Sequence, residues 1–116
     1  MSTTEAVYVW NTYRTLDCQK TGVSLKATPG QVGGWYLSNQ AAALRYVKLY
    51  DTNQVPDNTF TPKITIALPA NSAANLLSVS GIDFTQGIAV RGTTGLADND
   101  NTAPTANDII ANIFYK

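Results

Sequence analysis

Apolar and polar residues alternate along most of this chain with a period of two, and Gly, Pro, Asn or Asp breaks the alternation at short intervals. Strand side chains point to opposite faces in turn, so the pattern predicts short strands joined by tight turns. The cleanest case is residues 63–68, where Ile64, Ile66 and Leu68 share one face and Lys63, Thr65 and Ala67 the other. Pro62 and Pro69 bracket that run without interrupting its hydrogen-bond ladder. Around residues 33–51 two aromatic runs, Trp35-Tyr36-Leu37 and residues 46–50, flank an Asn-Gln-Ala-Ala-Ala segment. They read as an antiparallel hairpin, with Val47 and Leu49 on one face of its second strand and Tyr46, Lys48 and Tyr50 on the other. Gly33-Gly34 weakens the first strand and predicts a bulge or a close backbone crossing.

The rest of the chain extends the pattern. Residues 6–15 predict a strand rich in aromatic and β-branched residues, with Val7 and Val9 on one face and Tyr8 and Trp10 on the other. Residues 23–27 and 88–93 predict two more, the latter with Ile88 and Val90 inward and Ala89 and Arg91 facing away. Residues 72–75 are the one place that suits a helical turn; 76–79 should be extended, and 81–87 a separate segment flanked by turns. Residues 52–62 and 95–107 are polar loops. Residues 108–115 carry no polar face and predict a strand covered on both sides, by the core and by a neighbouring subunit. The sum is about eight short strands and essentially no helix, hence an all-β fold. The expected form is an antiparallel two-sheet β-sandwich with jelly-roll-like connections; a small closed barrel is the alternative. Residues 1–5 are expected to be a flexible N-terminal arm and residues 6–116 a single domain.

Composition sharpens this picture. Only 14% of the 116 residues are charged, against about 25% in an ordinary soluble protein, and the polarity comes from Thr, Asn, Ser and Gln. Interface cores are depleted of charge, so such a surface favours lasting contact with other protein. The net charge is zero and no basic cluster exists to neutralise phosphates, which argues against nucleic acid as a partner. No apolar run approaches the roughly 20 residues of a membrane span and the first residues lack a signal-peptide pattern, so the expectation is a soluble protein made in a reducing cytoplasm. The single cysteine, Cys18, cannot form an internal disulfide and reads as a small packed side chain.

The sequence contains no histidine, which removes the usual general base, the usual zinc ligand and the Ser-His-Asp and Cys-His nucleophile pairs. The expectation is a protein that is not an enzyme, with no catalytic residues, no metal and no cofactor. Residues 98–101, Asp-Asn-Asp-Asn, could supply oxygen ligands to calcium, but they lack the Gly and distal Glu of an EF-hand loop, and Asp and Asn are favoured in turns. The aromatics are more telling. Tyr8, Trp10, Tyr13, Trp35, Tyr36, Tyr46 and Tyr50 crowd the first half of the chain. Cross-strand packing accounts for most of them, and protein contact or a sugar-stacking face on Trp35 or Trp10 for the remainder.

Several segments resemble small virion proteins of tailed phages: GWYLSN at residues 34–39, RYVKLYD at 45–51, TIALPA at 65–70, GIDFTQGIAV at 81–90, ADND at 97–100 and ANDIIANIFYK at 106–116. The likeness spans residues 31–116. It implies a β-sandwich module of the capsid decoration (cement) or head-fibre type, a non-enzymatic homotrimer on the outer capsid surface that binds the major capsid protein and neither membrane nor nucleic acid. Within that reading Tyr8, Trp10, Tyr13 and Arg14 are the expected contacts to the capsid or a sister subunit. The competing functions are a fibre or adhesive module that meets the host surface and a carbohydrate-binding module.

Overall fold

Eight strands form among the described residues, which in the computed structural model are 10–116; Tyr8, the 1–5 arm and the start of the 6–15 strand lie outside them. The strands are β1 (Asn11–Thr15), β2 (Val23–Lys26), β3 (Gly30–Asn39), β4 (Arg45–Tyr50), β5 (Ile64–Leu68), β6 (Ala73–Phe84), β7 (Ile88–Thr93) and β8 (Ile109–Tyr115). They build two four-stranded antiparallel sheets in the orders β1-β8-β3-β6 and β2-β7-β4-β5. Apart from β4 and β5, each strand lies in the opposite sheet from the one before it. That is the connectivity of a jelly roll, the architecture expected from the alternation. Among the described residues there is no helix.

The inward set of each strand meets between the sheets. Val32, Trp35, Leu37, Ile109, Ala111 and Ile113 come from the first sheet, and Val47, Leu49, Leu68, Ile88 and Val90 from the second, with Phe84 and Cys18 completing the cluster. Burying each of the larger side chains contributes about 1.5–3 kcal/mol, and this layer holds the sheets together. Cys18 packs there as expected, its thiol pushed up to about 12 by burial and by the neighbouring Asp17.

Three expectations are overturned. The 33–51 hairpin does not form: β3 and β4 lie in different sheets, and residues 40–44 arch from one to the other. The two strands face each other across the core instead of sharing a ladder. The connection also lacks the Asn-Gly or Asp-Gly dipeptide that a two-residue hairpin turn demands. Asn39 holds the arch, as its buried side-chain amide donates to the carbonyls of Ala43 (2.8 Å), Leu68 (3.0 Å) and Pro69 (3.2 Å). Nor do residues 72–75 make a helical turn. Ala73, Ala74 and Asn75 pair with Ser38, Leu37 and Tyr36, and four residues of helix cannot compete with a ladder. Residues 81–84 are not a separate segment but the end of the same strand.

What divides β6 is a bulge. Val32 pairs with Ile82 and Gly34 with Leu77, so residues 78–81 loop out opposite Gly33 alone. On its other side Gly33 is again the extra residue, since Val32 pairs with Tyr115 and Gly34 with Phe114. The Gly-Gly pair thus marks a bulge, as anticipated.

Aspartates tie down the turns. The Asp51 carboxylate accepts the backbone N–H groups of Thr85 (2.9 Å) and Gln86 (2.8 Å) and the Thr85 hydroxyl (3.1 Å), closing the β6–β7 turn. Partial burial opposes ionisation of Asp51, but these donors outweigh it and hold its carboxyl below the usual value. The Gln19 side chain and the Asn107 N–H do the same for Asp17, and Thr59 for Asp57; Thr102 outweighs slight burial at Asp100. A carboxyl whose pKa is depressed by folding stabilises above its unfolded value and loses that contribution as protons are added. The expected result is a thermal midpoint that is flat near neutrality and drops as pH falls below about 4, with Asp51→Asn losing part of the drop.

Candidate functional site

The outer faces of the two sheets are treated in opposite ways. On the second sheet the outward residues Tyr46, Lys48 and Tyr50 of β4 and Ala89, Arg91 and Thr93 of β7 are all buried, although they point away from the core. Surface loops bring the cover. Lys48 and Arg91 stand directly opposite each other in the ladder, so two cations are buried side by side. Each is satisfied by loop oxygens. The Lys48 Nζ donates to the Ala97 carbonyl (2.6 Å). Arg91 donates from Nε to the Lys20 carbonyl (2.6 Å), from Nη1 to the Tyr50 hydroxyl (3.3 Å) and from Nη2 to Asn101 Oδ1 (2.7 Å). Burial lowers the Lys48 pKa; Asp100 and Asp98 push it back up, and Arg91 adds to the fall.

This arrangement explains the Asp-Asn-Asp-Asn run at residues 98–101. Its oxygens serve the chain itself: Asn101 takes Arg91, and the Asp100 carboxylate accepts the backbone N–H (3.0 Å) and the hydroxyl of Thr102. Among the described residues no three His, Cys, Asp or Glu side chains gather as a metal site would need.

The first sheet leaves its outer face open. Two ladder rungs cross it, Thr12–Phe114–Gly34–Leu77 and Arg14–Asn112–Tyr36–Asn75. Beyond them lies a groove of about 830 Å³ walled by Trp10, Gln31, Tyr36, Phe114 and the β6 bulge from Leu77 to Ser80. Its floor is built by the missing side chain of Gly33, where a Cβ would stand 2.8 Å from the Trp10 indole. Lys116 places its ammonium 4.5 Å from the Trp10 ring centroid, and Tyr36 and Phe114 meet edge to face at 5.2 Å. The walls are bare: Tyr36 is 45% exposed, Leu77 65% and Val79 fully exposed. Apolar side chains gathered on one open face are the surface signature of a binding site.

Of the four residues anticipated as contacts, Trp10 lines the groove and Arg14 is exposed on the same sheet face. Tyr13 has the opposite parity and packs against the core, where burial raises the pKa of its phenol. Tyr8 lies outside the described residues. Trp35 is buried and offers no platform to a sugar, which leaves Trp10 as the candidate stacking ring. Leu77, Val79 and Phe114 are not singled out as contacts by the sequence, and Tyr36 only as one of seven aromatics shared between packing and protein contact. The parity of Tyr36 against Trp35 and Leu37 could have shown it; the exposure of Val79 depends on a bulge that its own run of residues does not announce. No family model matches this chain, and no curated protein matches it significantly.

Proposed function

We propose that the protein is a structural component of a tailed-phage virion, a capsid decoration (cement) protein that binds the major capsid protein on the outer surface of the head as a homotrimer. One observation carries the reading: the chain covers one outer sheet face with its own loops and leaves the other apolar and open around Trp10, Tyr36, Leu77, Val79 and Phe114. Aromatic anchors in an apolar groove, rimmed by polar residues and short of charge, suit a partner that is other protein. Jelly rolls recur in viral capsid proteins and also in lectins, so the fold agrees with the reading without selecting it. The resemblance of residues 31–116 to phage virion proteins supplies the location.

The test uses particles that lack the protein, to which purified wild type or variants are added and the bound copies counted by gel densitometry and electron microscopy. Trp10→Ala with Leu77→Ala should lower affinity for the particle at least about tenfold, the loss of one interface anchor, while the fold is kept. Unchanged occupancy would remove the groove from the capsid contact, and no binding of wild type would remove the decoration role. A sugar-binding role is the second reading, favoured by the polar Gln31, Ser78 and Ser80 beside the Trp10 ring. Glycan binding lost in Trp10→Ala would select it. A few copies per particle together with adhesion to host cells would select the fibre or adhesive module.

A further inference from the structure

We propose that the free edge of β6 pairs, antiparallel and about a two-fold axis at Asn75, with the β6 edge of a second copy of this chain. The four sheet edges are finished in different ways. A strand edge presents a row of unpaired N–H and C=O groups, a template for another extended chain, and proteins guard it with charge, proline, bulges or brevity. β1 is five residues long and carries Arg14. β2 has four residues, an irregular register and Lys26 at its end, and β5 stands between Pro62-Lys63 and Pro69. β6 is the exception. Its twelve residues hold no proline and no charge before Asp83, and the bulge at residues 78–81 leaves Ala73 to Leu77 as a regular run. Among the described strands that run pairs with β3 alone.

The run is complementary to itself. With Asn75 opposite its own copy, Ala74 faces Leu76 and Ala73 faces Leu77, so a small side chain meets a large one at each rung beside the axis. The two axial amides supply donor and acceptor to each other. Sliding the pairing by two residues would set Asn75 against Leu77 and leave its amide without a partner, while a slip of one would turn the second sheet over. Leu76 points inward, opposite Trp35 in the ladder, yet is 39% exposed at the open edge, and Leu77 is 65% exposed on the outer face. A strand added here covers both. It also continues β1-β8-β3-β6 into an eight-stranded sheet with both open faces on one side, so that two grooves can lie against a single surface. An isologous contact cannot by itself build a trimer; it goes beyond the reading above and joins one trimer to the next.

Cysteine trapping in the full-length protein tests the contact and its register. Opposite residues of an antiparallel pair have Cα atoms about 4.5–5.5 Å apart, within disulfide reach. Under mild oxidation Asn75→Cys is therefore expected to give a covalent homodimer on a non-reducing gel, and so are co-expressed Ala73→Cys and Leu77→Cys chains. Leu77→Cys alone should not, because its copy lies four residues, about 13 Å, along the strand. Native Cys18 is buried in the core and does not compete. Sedimentation should show about tenfold weaker self-association for Asn75→Lys, which sets two ammonium groups face to face at an exposed position, with the circular dichroism unchanged. Absence of the Asn75→Cys crosslink, or equal crosslinking of Asn75→Cys and Leu77→Cys, overturns the proposal. So does hydrogen-exchange protection of residues 73–77 that appears only on particles and never with rising concentration in solution, which gives the edge to the capsid protein. Decorated particles without the crosslink would refute the edge contact and keep the decoration role; the crosslink with bare particles would do the reverse.

Discussion

Arg91→Ala is expected to destabilise the protein by about 3–5 kcal/mol, more than any exposed substitution. The guanidinium is fully buried and holds three acceptors at once, the Lys20 carbonyl, the Tyr50 hydroxyl and the Asn101 side chain. Truncation leaves those groups without their donor and opens a cavity the size of a long side chain. Relief of repulsion from Lys48, directly across the ladder, offsets part of the loss. For a chain of this size the thermal midpoint should fall by roughly 10–20 °C. Arg91→Lys should lose about half as much, because one ammonium cannot span three acceptors set in a fork. Urea titration with an unchanged slope is the measurement, and a loss under about 1 kcal/mol would mean that the loops stay down without Arg91. The consequence reaches beyond stability. If the loops lift, Tyr46 and Tyr50 are uncovered and the sandwich gains a second sticky face. Aggregation near the midpoint of Arg91→Ala is then expected where the wild type unfolds cleanly.

That face was only half legible in the sequence. Alternation correctly gave Lys48 and Arg91 outward directions from the core, because period two reports parity and parity is local. Whether an outward side chain meets water or a loop depends on residues some tens of positions away. The same limit explains the hairpin. Trp35 and Leu37 against Val47 and Leu49 give one and the same pattern whether their strands lie side by side or face each other across a core. Only the absence of a hairpin turn between them argued for the second arrangement. Strands bounded by Pro or Gly, such as β5 and β7, emerged nearly residue for residue. In the candidate site, Trp10 was anticipated for its chemistry and Tyr13 by the same chemistry, although their opposite parity sends Tyr13 inward. Val79 was read as part of an extended run; its exposure comes from the bulge, which is a property of the pairing with β3 and not of its own residues.

Asn39→Asp replaces one amide nitrogen by oxygen and is expected to be as damaging as the loss of Arg91. The Asn39 amide donates toward three carbonyls, those of Ala43, Leu68 and Pro69, while its Oδ1 accepts the Ala41 N–H at 2.9 Å. The residue is 1% exposed. A carboxylate in that position turns a donor into a second negative acceptor aimed at three carbonyl oxygens, away from water. The cost at pH 7 should be about 3–5 kcal/mol, against about 2–3 kcal/mol for Asn39→Ala, which removes the donor without adding a charge. The two variants separate by pH. Burial among acceptors raises the folded pKa of the new carboxyl, so its penalty is largest above that pKa and shrinks as the group takes up a proton. Asn39→Asp should therefore approach wild type as pH is lowered toward about 4, while the gap for Asn39→Ala stays constant. This trend runs opposite to the acid weakening of the wild type through Asp51 and the other turn aspartates. A pH-independent gap for Asn39→Asp would mean that the arch can relax around a charge. In that case the placement of β3 and β4 in different sheets would rest on core packing alone, with the one buried amide that ties β3 to the β4 and β5 ends contributing little.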